Sequence, residues 1–382
     1  MIKIYEPYLS KKEKFFLNDA FDNNEISTFG NYSAKFEKKI NTISKSKYTL
    51  AVTSASVGLY LSFKSLNVQR DDIILAPSYT FAATINSIIH AGAKPYLFDI
   101  AKNTLCLNLD DVEDFLKKET IKIKKNYYYK KNKKKIFAIC PVLTFSIVPD
   151  LKRINEIAKK YNLKIVLDAA CALGSFYNKK SLNNYSDVVV YSFNGNKSFT
   201  SGGGGAICSD KFNIYKKAYL LATNAKKINE NYKHSFPAHN FKISNIHAAI
   251  GYGQLSQYQN IIKKKKLIQK RYENKINFHE KKNVINLLSK FIHSNNPLWI
   301  NFIILKNKTV VSNLIKNLKK IGVITNFFWQ PMHKQSYPNL LLRKSMKNTN
   351  YFADRLLPLP STPNLTKKNQ LKIIKKINNS LV

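Results

Sequence analysis

Short apolar runs recur through the first half of the chain, each followed by a longer stretch whose apolar positions fall at helical spacing. The runs at 48–52, 72–76, 94–98, 136–140, 164–167 and 188–191 predict strands buried on both faces, and 56–66, 81–90 and 151–161 predict helices between them. Strands alternating with helices imply an α/β fold built on a largely parallel sheet. In such a sheet, functional residues are expected at the carboxyl ends of the strands. A helical region at 243–274, rich in Lys and Gln, reads as a connector. Beyond it the rhythm changes, with strand patterns at 299–305 and 322–325 and helical patterns at 310–320 and 367–377. That suits a smaller C-terminal α+β domain. The expected division is an N-terminal arm over 1–30, a large α/β domain over 31–250, and a connecting helix with the small domain over 251–382.

Composition narrows the class. A chain of 382 residues is long for one core, and 44% apolar with 12% aromatic residues is enough to fill two, which argues against disorder. No apolar run approaches a membrane span, and Met1 to Glu6 lacks a signal-peptide core, so a cytoplasmic protein is expected. Cys106, Cys140, Cys171 and Cys208 are far apart and suggest neither a metal site nor a disulfide framework. The formal charge of +40 raises nucleic-acid binding. Against it, the lysines are spread over the whole chain among Asn, Ile, Phe and Tyr, as AT-rich coding would produce. The densest segment, 121–135 with Tyr127, Tyr128 and Tyr129 between lysines, reads as a solvated loop or helix end joining two strands, with a base-stacking patch as the alternative. A positive field also attracts phosphate-bearing substrates.

Candidate chemistry centres on Lys197, which lies in Ser192-Phe193-Asn194-Gly195-Asn196-Lys197 just before Gly202 to Gly205, with Asp168 ending an apolar run upstream. A lysine able to form an imine and a carboxylate able to keep a pyridine nitrogen protonated are the two groups that a pyridoxal phosphate site needs. Asp168 could instead be a helix cap at a strand end. Ser54, Ala55, Ser56 and Val57 precede a helix, so their N–H groups and hydroxyls suit a phosphate, with Ser56 and Ser192 supplying hydroxyls; a plain serine cap is the other reading. The glycine run fits neither a dinucleotide fingerprint nor a P-loop, and close backbone approach explains it better.

In this order, Glu25-Ile26-Ser27-Thr28-Phe29-Gly30, Ser54-Ala55-Ser56, Pro77 to Thr84, Ala91-Gly92-Ala93-Lys94-Pro95, Asp168-Ala169-Ala170, the Lys197 segment, Ala248 to Gly251, Trp329-Gln330-Pro331-Met332-His333 and Leu359-Pro360-Ser361 make the chain resemble the DegT/DnrJ/EryC1/StrS aminotransferases, fold type I pyridoxal phosphate enzymes acting on nucleotide-linked keto sugars. The resemblance implies that Lys197 carries the cofactor and Asp168 holds its ring nitrogen. It implies that Phe81 lies against the ring and that Cys171 touches the ring region. Asn240 would reach the phosphate of a neighbouring subunit, making a homodimer with shared sites. Ser27, Thr28 and Phe29, with Trp329 and His333, would meet the substrate. The Ser192 to Lys197 segment looks most like the branch that aminates a UDP-linked 4-keto sugar for surface glycans, with L-glutamate as donor in a ping-pong transamination. Departures from the family pattern are Ala55 for Gly, Leu143 and Ser146 for His and Gly, Cys171 for Gln, Glu or His, Lys242 for Arg, and Asn326 for Arg. Losing arginine weakens any bidentate grip on a carboxylate. A dehydratase of this fold would carry His in place of Lys197. Amino-aromatic synthesis and a decayed, basic nucleic-acid-binding scaffold are the remaining alternatives.

Overall fold

The computed structural model describes residues 1–226, 232–276, 299–337, 340–343 and 345–381, together with the backbone of 284–287. Two helices open the chain, α1 (Lys11–Asp22) and α2 (Asn31–Ser44). The start of α1 carries a capping box, with Ser10 N and Oγ donating to Glu13 at 2.7 and 2.8 Å. The central sheet comprises β1 (Tyr48–Val52), β2 (Ile73–Pro77), β3 (Lys94–Phe98), β4 (Lys135–Ile139), β5 (Lys164–Asp168), β6 (Val188–Ser192) and β7 (Gly205–Ser209). Their spatial order is β3-β2-β4-β5-β6-β7-β1, and Leu341–Leu342 adds a parallel edge beside β3. All neighbours are parallel except β7, which runs antiparallel to both β6 and β1.

Both faces of this sheet are buried, which is why its strands read as continuous apolar runs. Ile73 and Leu75 of β2 face a core that includes Phe36 of α2 and Ile154 and Ile157 of α6 (Leu151–Tyr161). Ile74 and Ala76 face the opposite core, which holds Leu59 and Leu61 of α3 (Ala55–Ser65) and Ile85 and Ile88 of α4 (Ala82–His90). The register of β2 is therefore fixed, since a one-residue slip would exchange its two faces.

Two expectations change. Residues 121–135 do not form a solvated loop or helix end: Thr120–Ile123 and Asn126–Tyr129 pair as an antiparallel hairpin that continues onto β4. Tyr129 is buried there against Tyr96 and Phe115, with centroids 5.6 and 5.5 Å away, and Tyr127 packs edge-on against Tyr161 at 4.8 Å. Aromatic burial on alternate positions outweighs the solvation of the intervening lysines. The helical stretch after residue 243 is two helices, α8 (Asn245–Ser256) and α9 (Tyr258–Lys275), once α5 (Leu109–Glu119) and α7 (Phe212–Ala222) are counted. Ala248 and Ala249 of α8 lie in the same core as Phe36, so this helix packs on the main sheet and does not lead out of it.

Helix α9 then passes Ile268 and Tyr272 into a separate C-terminal core. That core forms around β8 (Asn301–Leu305), paired antiparallel with β9 (Leu356–Leu359) and with Val284–Leu287, under α10 (Lys308–Lys319) and α12 (Lys367–Ser380), with α11 (Lys347–Ala353) preceding β9. Strand β8 has two masters. Ile303 and Leu305 enter the C-terminal core, while Phe302 and Ile304 pack with Tyr79 and Phe145 above the carboxyl ends of the main sheet. Alternation along one strand thus binds the C-terminal segment to the mouth of the sheet.

Candidate active site

A cavity of about 340 Å³ opens where β1, β2, β5 and β6 end, and its wall includes Ser54, Ala55, Ser56, Asp168, Ser192 and Lys197. Parallel strands place these residues together because every loop at that end follows the same edge of the sheet.

Asp168 is the last residue of β5 and is 6% exposed. Its Oδ2 accepts from Thr84 Oγ1 at 2.7 Å and its Oδ1 from Ala170 N at 3.1 Å. Burial raises its pKa, against which the two hydrogen bonds and the Lys197 charge act. Among the ion pairs of the described residues none involves Asp168. The carboxylate is therefore dressed with donors yet lacks a contacting cation. Thr84 forms a second link, with its hydroxyl 2.7 Å from that of Thr80. Thr80 lies just before α4 and Thr84 in its first turn, and this pair of threonines four apart is a signal that a sequence reading can find.

Lys197 follows β6 in a turn closed by its own N–H donating to Asn194 O at 3.0 Å. Its Nζ donates to Cys171 Sγ at 3.2 Å and stands 4.4 Å from the centroid of the Trp299 ring. Burial raises the Cys171 thiol, opposed by the nearby Lys197 amine. Ser54 is the cap of α3, its Oγ accepting from Val57 N at 3.2 Å. Val57 accordingly has its N–H engaged within the helix and is not part of the cavity wall, whereas Ala55 and Ser56 are. The glycine run has a steric cause here. A Cβ on Gly205 would sit 2.5 Å from Ala55 N, so β7 passes directly against the first turn of α3.

Phe81 is 57% exposed at the cavity rim and packs on Trp329, centroids 6.0 Å apart. Trp329 also stacks on Phe145 at 5.5 Å. The remaining expected residues lie outside this chain's cavity wall. Asn240 is exposed, as are Ser27 and Phe29, with Ser27 O accepting from Asn245 N at 2.5 Å; Thr28 adjoins them. His333 joins Ser78 Oγ through Nδ1 at 2.6 Å and Asn350 Oδ1 through Nε2 at 3.1 Å, and burial lowers its pKa. Lys242 forms a bridge with Val52 at the end of β1, and Leu143 lines the cavity.

Sequence reasoning treated Trp299 only as the start of a strand, Asn196 only as part of the Lys197 segment, and Phe145 not at all. All three line the cavity. The rarity of tryptophan, two in the chain, was the available signal. Thr144, also on the wall, has a buried hydroxyl without a partner among the described residues. A buried carboxyl with no ion-pair partner among the described residues, a helix N-terminus, an amine and an unsatisfied hydroxyl around one cavity fit a flat ligand carrying a protonated ring nitrogen, an aldehyde and a phosphate.

The chain is 28% identical over 373 residues to the GDP-perosamine synthase of Vibrio cholerae, covering 96% of this chain and 95% of that one. Helicobacter pylori PseC, an aminotransferase involved in the biosynthesis of pseudoaminic acid, superposes with a TM-score of 0.88 at 20% identity, covering 100% of this chain and 99% of that one. NtdA from Bacillus subtilis, solved with bound cofactor PMP, superposes with a TM-score of 0.85 at 22% identity over 97% and 81% of the two chains. Residues 7–378 match the DegT/DnrJ/EryC1/StrS aminotransferase family, to which this chain belongs.

Proposed function

We propose that the protein is a pyridoxal phosphate-dependent aminotransferase that passes an amino group from L-glutamate to the ketone of a nucleotide-linked sugar, in the synthesis of a surface polysaccharide or glycan. The observation that carries this reading is the convergence of Lys197, Asp168 and the α3 N-terminus on one cavity. Bound pyridoxal phosphate supplies an electron sink for breaking and making C–H bonds beside nitrogen.

Lys197 Nζ would hold the cofactor at its aldehyde, and the same amine would carry a proton to and from the reacting carbon. Asp168 keeps the proton on the pyridine nitrogen, and Thr84 and the Ala170 N–H fix the orientation of its carboxylate. Ala55 and Ser56 at the start of α3, with Ser192, hold the phosphate where the helix dipole favours an anion. Phe81 at the rim would pack against the cofactor ring, and Trp329, which contacts Phe81 and stacks on Phe145, would help keep water from it. His333 and the Ser27 to Phe29 loop belong to the substrate side. Asn240, exposed on this chain, reaches the phosphate of a partner protomer in a cytoplasmic homodimer.

The likeness of the Ser192 to Lys197 segment to one branch of the family supports UDP as the acceptor nucleotide, whereas the similarity to the perosamine synthase supports GDP. Reduction with borohydride after mixing with pyridoxal phosphate, followed by peptide mapping, is expected to label Lys197. A label on another lysine, or none, overturns the reading. Incubating the loaded protein with glutamate is expected to bleach its visible band, and a panel of UDP- and GDP-linked ketones read by mass then assigns the acceptor.

A further inference from the structure

We propose that Lys265 is a positioning residue for Lys197, acting through Trp299. The inference rests on the reading of Lys197 as the reacting amine. Lys265 belongs to α9, outside the cavity wall, and is 2% exposed. Its Nζ donates to Trp299 O at 2.9 Å and Ser361 O at 3.3 Å, and lies 4.9 Å from the centroid of the Tyr5 ring. None of the ion pairs among the described residues includes it. Burial pushes its pKa down to about 7, the consequence of an amine held away from water.

For tethering two backbone segments, such a group is an expensive choice, because apolar side chains of similar length pack without desolvating a charge. What it holds explains its place. Trp299 is fixed at three polar points: its carbonyl on Lys265, its N–H on Ser146 Oγ at 3.1 Å, and its Nε1–H on Asn196 O at 2.7 Å. Asn196 immediately precedes Lys197. Ser146 Oγ also donates to Cys171 O at 2.5 Å, and Cys171 Sγ is the group that receives the Lys197 amine. Lys197 Nζ thus meets the indole face and the thiol, and Trp299 is tied to both segments, through its backbone N–H and Ser146 to the Cys171 loop and through its indole N–H to the Asn196 carbonyl beside Lys197. Lys265 supplies the anchor from the α9 side. A tryptophan released at its carbonyl shifts the surface on which the amine rests, and a displacement on the order of 1 Å is enough to slow a reaction at the displaced atom.

Trp329→Phe leaves Trp299 as the sole tryptophan, so fluorescence of the cofactor-free protein reports its environment directly. In that background Lys265→Met is expected to raise acrylamide quenching about twofold, and in the wild-type background to slow capture of pyridoxal phosphate by Lys197, followed by timed borohydride trapping, about tenfold. Lys265→Gln retains a donor for the Trp299 carbonyl and is expected to restore both readouts to near the parent values. Should the Met variant fail to fold, Lys265→Leu carries the same two measurements, with Lys265→Arg as a second donor-retaining control. Parental quenching in Lys265→Met, slowed capture without a change in quenching, or a Gln variant that behaves as Met overturns the proposal. Failure of the underlying reading shows separately, as a wild-type protein whose label is not on Lys197 while its quenching series is unaffected.

Discussion

Ser146 holds a left-handed backbone conformation, φ 75°, directly after Phe145 at φ 58°. Each costs about 1–2 kcal/mol relative to the ordinary region. Glycine would relieve the first, but glycine has no hydroxyl to join Trp299 N to Cys171 O. Ser146→Gly is therefore expected to change unfolding free energy by no more than about 1 kcal/mol, the relieved strain offsetting two lost hydrogen bonds, while transamination falls several-fold. Denaturant titration beside steady-state rates checks both. Asp168 behaves differently. Its folded pKa lies above the ordinary carboxylate value, so the folded protein holds its proton more tightly than the unfolded chain, and stability declines as pH rises from the ordinary carboxylate range through the raised value. Asp168→Asn removes that decline: in the cofactor-free protein the variant should melt above wild type at neutral pH, and the gap should close in acid. The same change should lower activity by about 10²–10³-fold, as for loss of one preorganised electrostatic group. A variant with unaltered turnover would remove Asp168 from the mechanism. Asp168 was legible because it ends an apolar run, and Lys197 because it follows a strand pattern and precedes four glycines. Trp299 was not, because its role arises from what lies across from it in space.

Strand β7 and helix α3 show how one element shapes another. Gly205 lets the antiparallel strand run against the first turn of α3, the region assigned to phosphate. Gly205→Ala should destabilise the protein by about 1–3 kcal/mol through overpacking and weaken cofactor binding, read by denaturant unfolding and by cofactor titration. Binding that survives unchanged would place the phosphate elsewhere. The β7 strand escaped the sequence reading because only Ala206, Ile207 and Cys208 follow four glycines, too short a run to signal a strand. The 120–129 hairpin escaped for the opposite reason. Its lysines advertise solvent, and only Tyr96 and Phe115, distant in sequence, give Tyr129 something to bury against. On α9, the lowered pKa of Lys265 means the unfolded chain binds the proton that the folded one releases, so stability should rise as pH climbs from about 7 toward the ordinary lysine range. Lys265→Met should abolish that rise, as thermal melts across this window would show.

At the scale of the molecule, the C-terminal segment is joined to the main sheet through the two faces of β8, and the cavity lies beneath that junction. None of the described helices is long and apolar enough to cross a membrane. If sites are shared between protomers, mixing Lys197→Ala with Asn240→Ala chains creates heterodimers in which one site is whole. Random exchange of equal amounts should then restore roughly a quarter of wild-type activity from two nearly inactive parents. Absence of recovery, with subunit exchange confirmed by mass, would assign Asn240 to a role within its own chain. The sequence by itself determined the α/β order, the parallel strands and the lysine and carboxylate of the site, because buried strands and their terminal residues leave local, periodic marks. Only tertiary structure decided which aromatic face meets the Lys197 amine, why Gly205 must lack a side chain, and where the buried Lys265 points. Each of these depends on the distance between segments remote along the chain, and linear pattern carries no record of that distance.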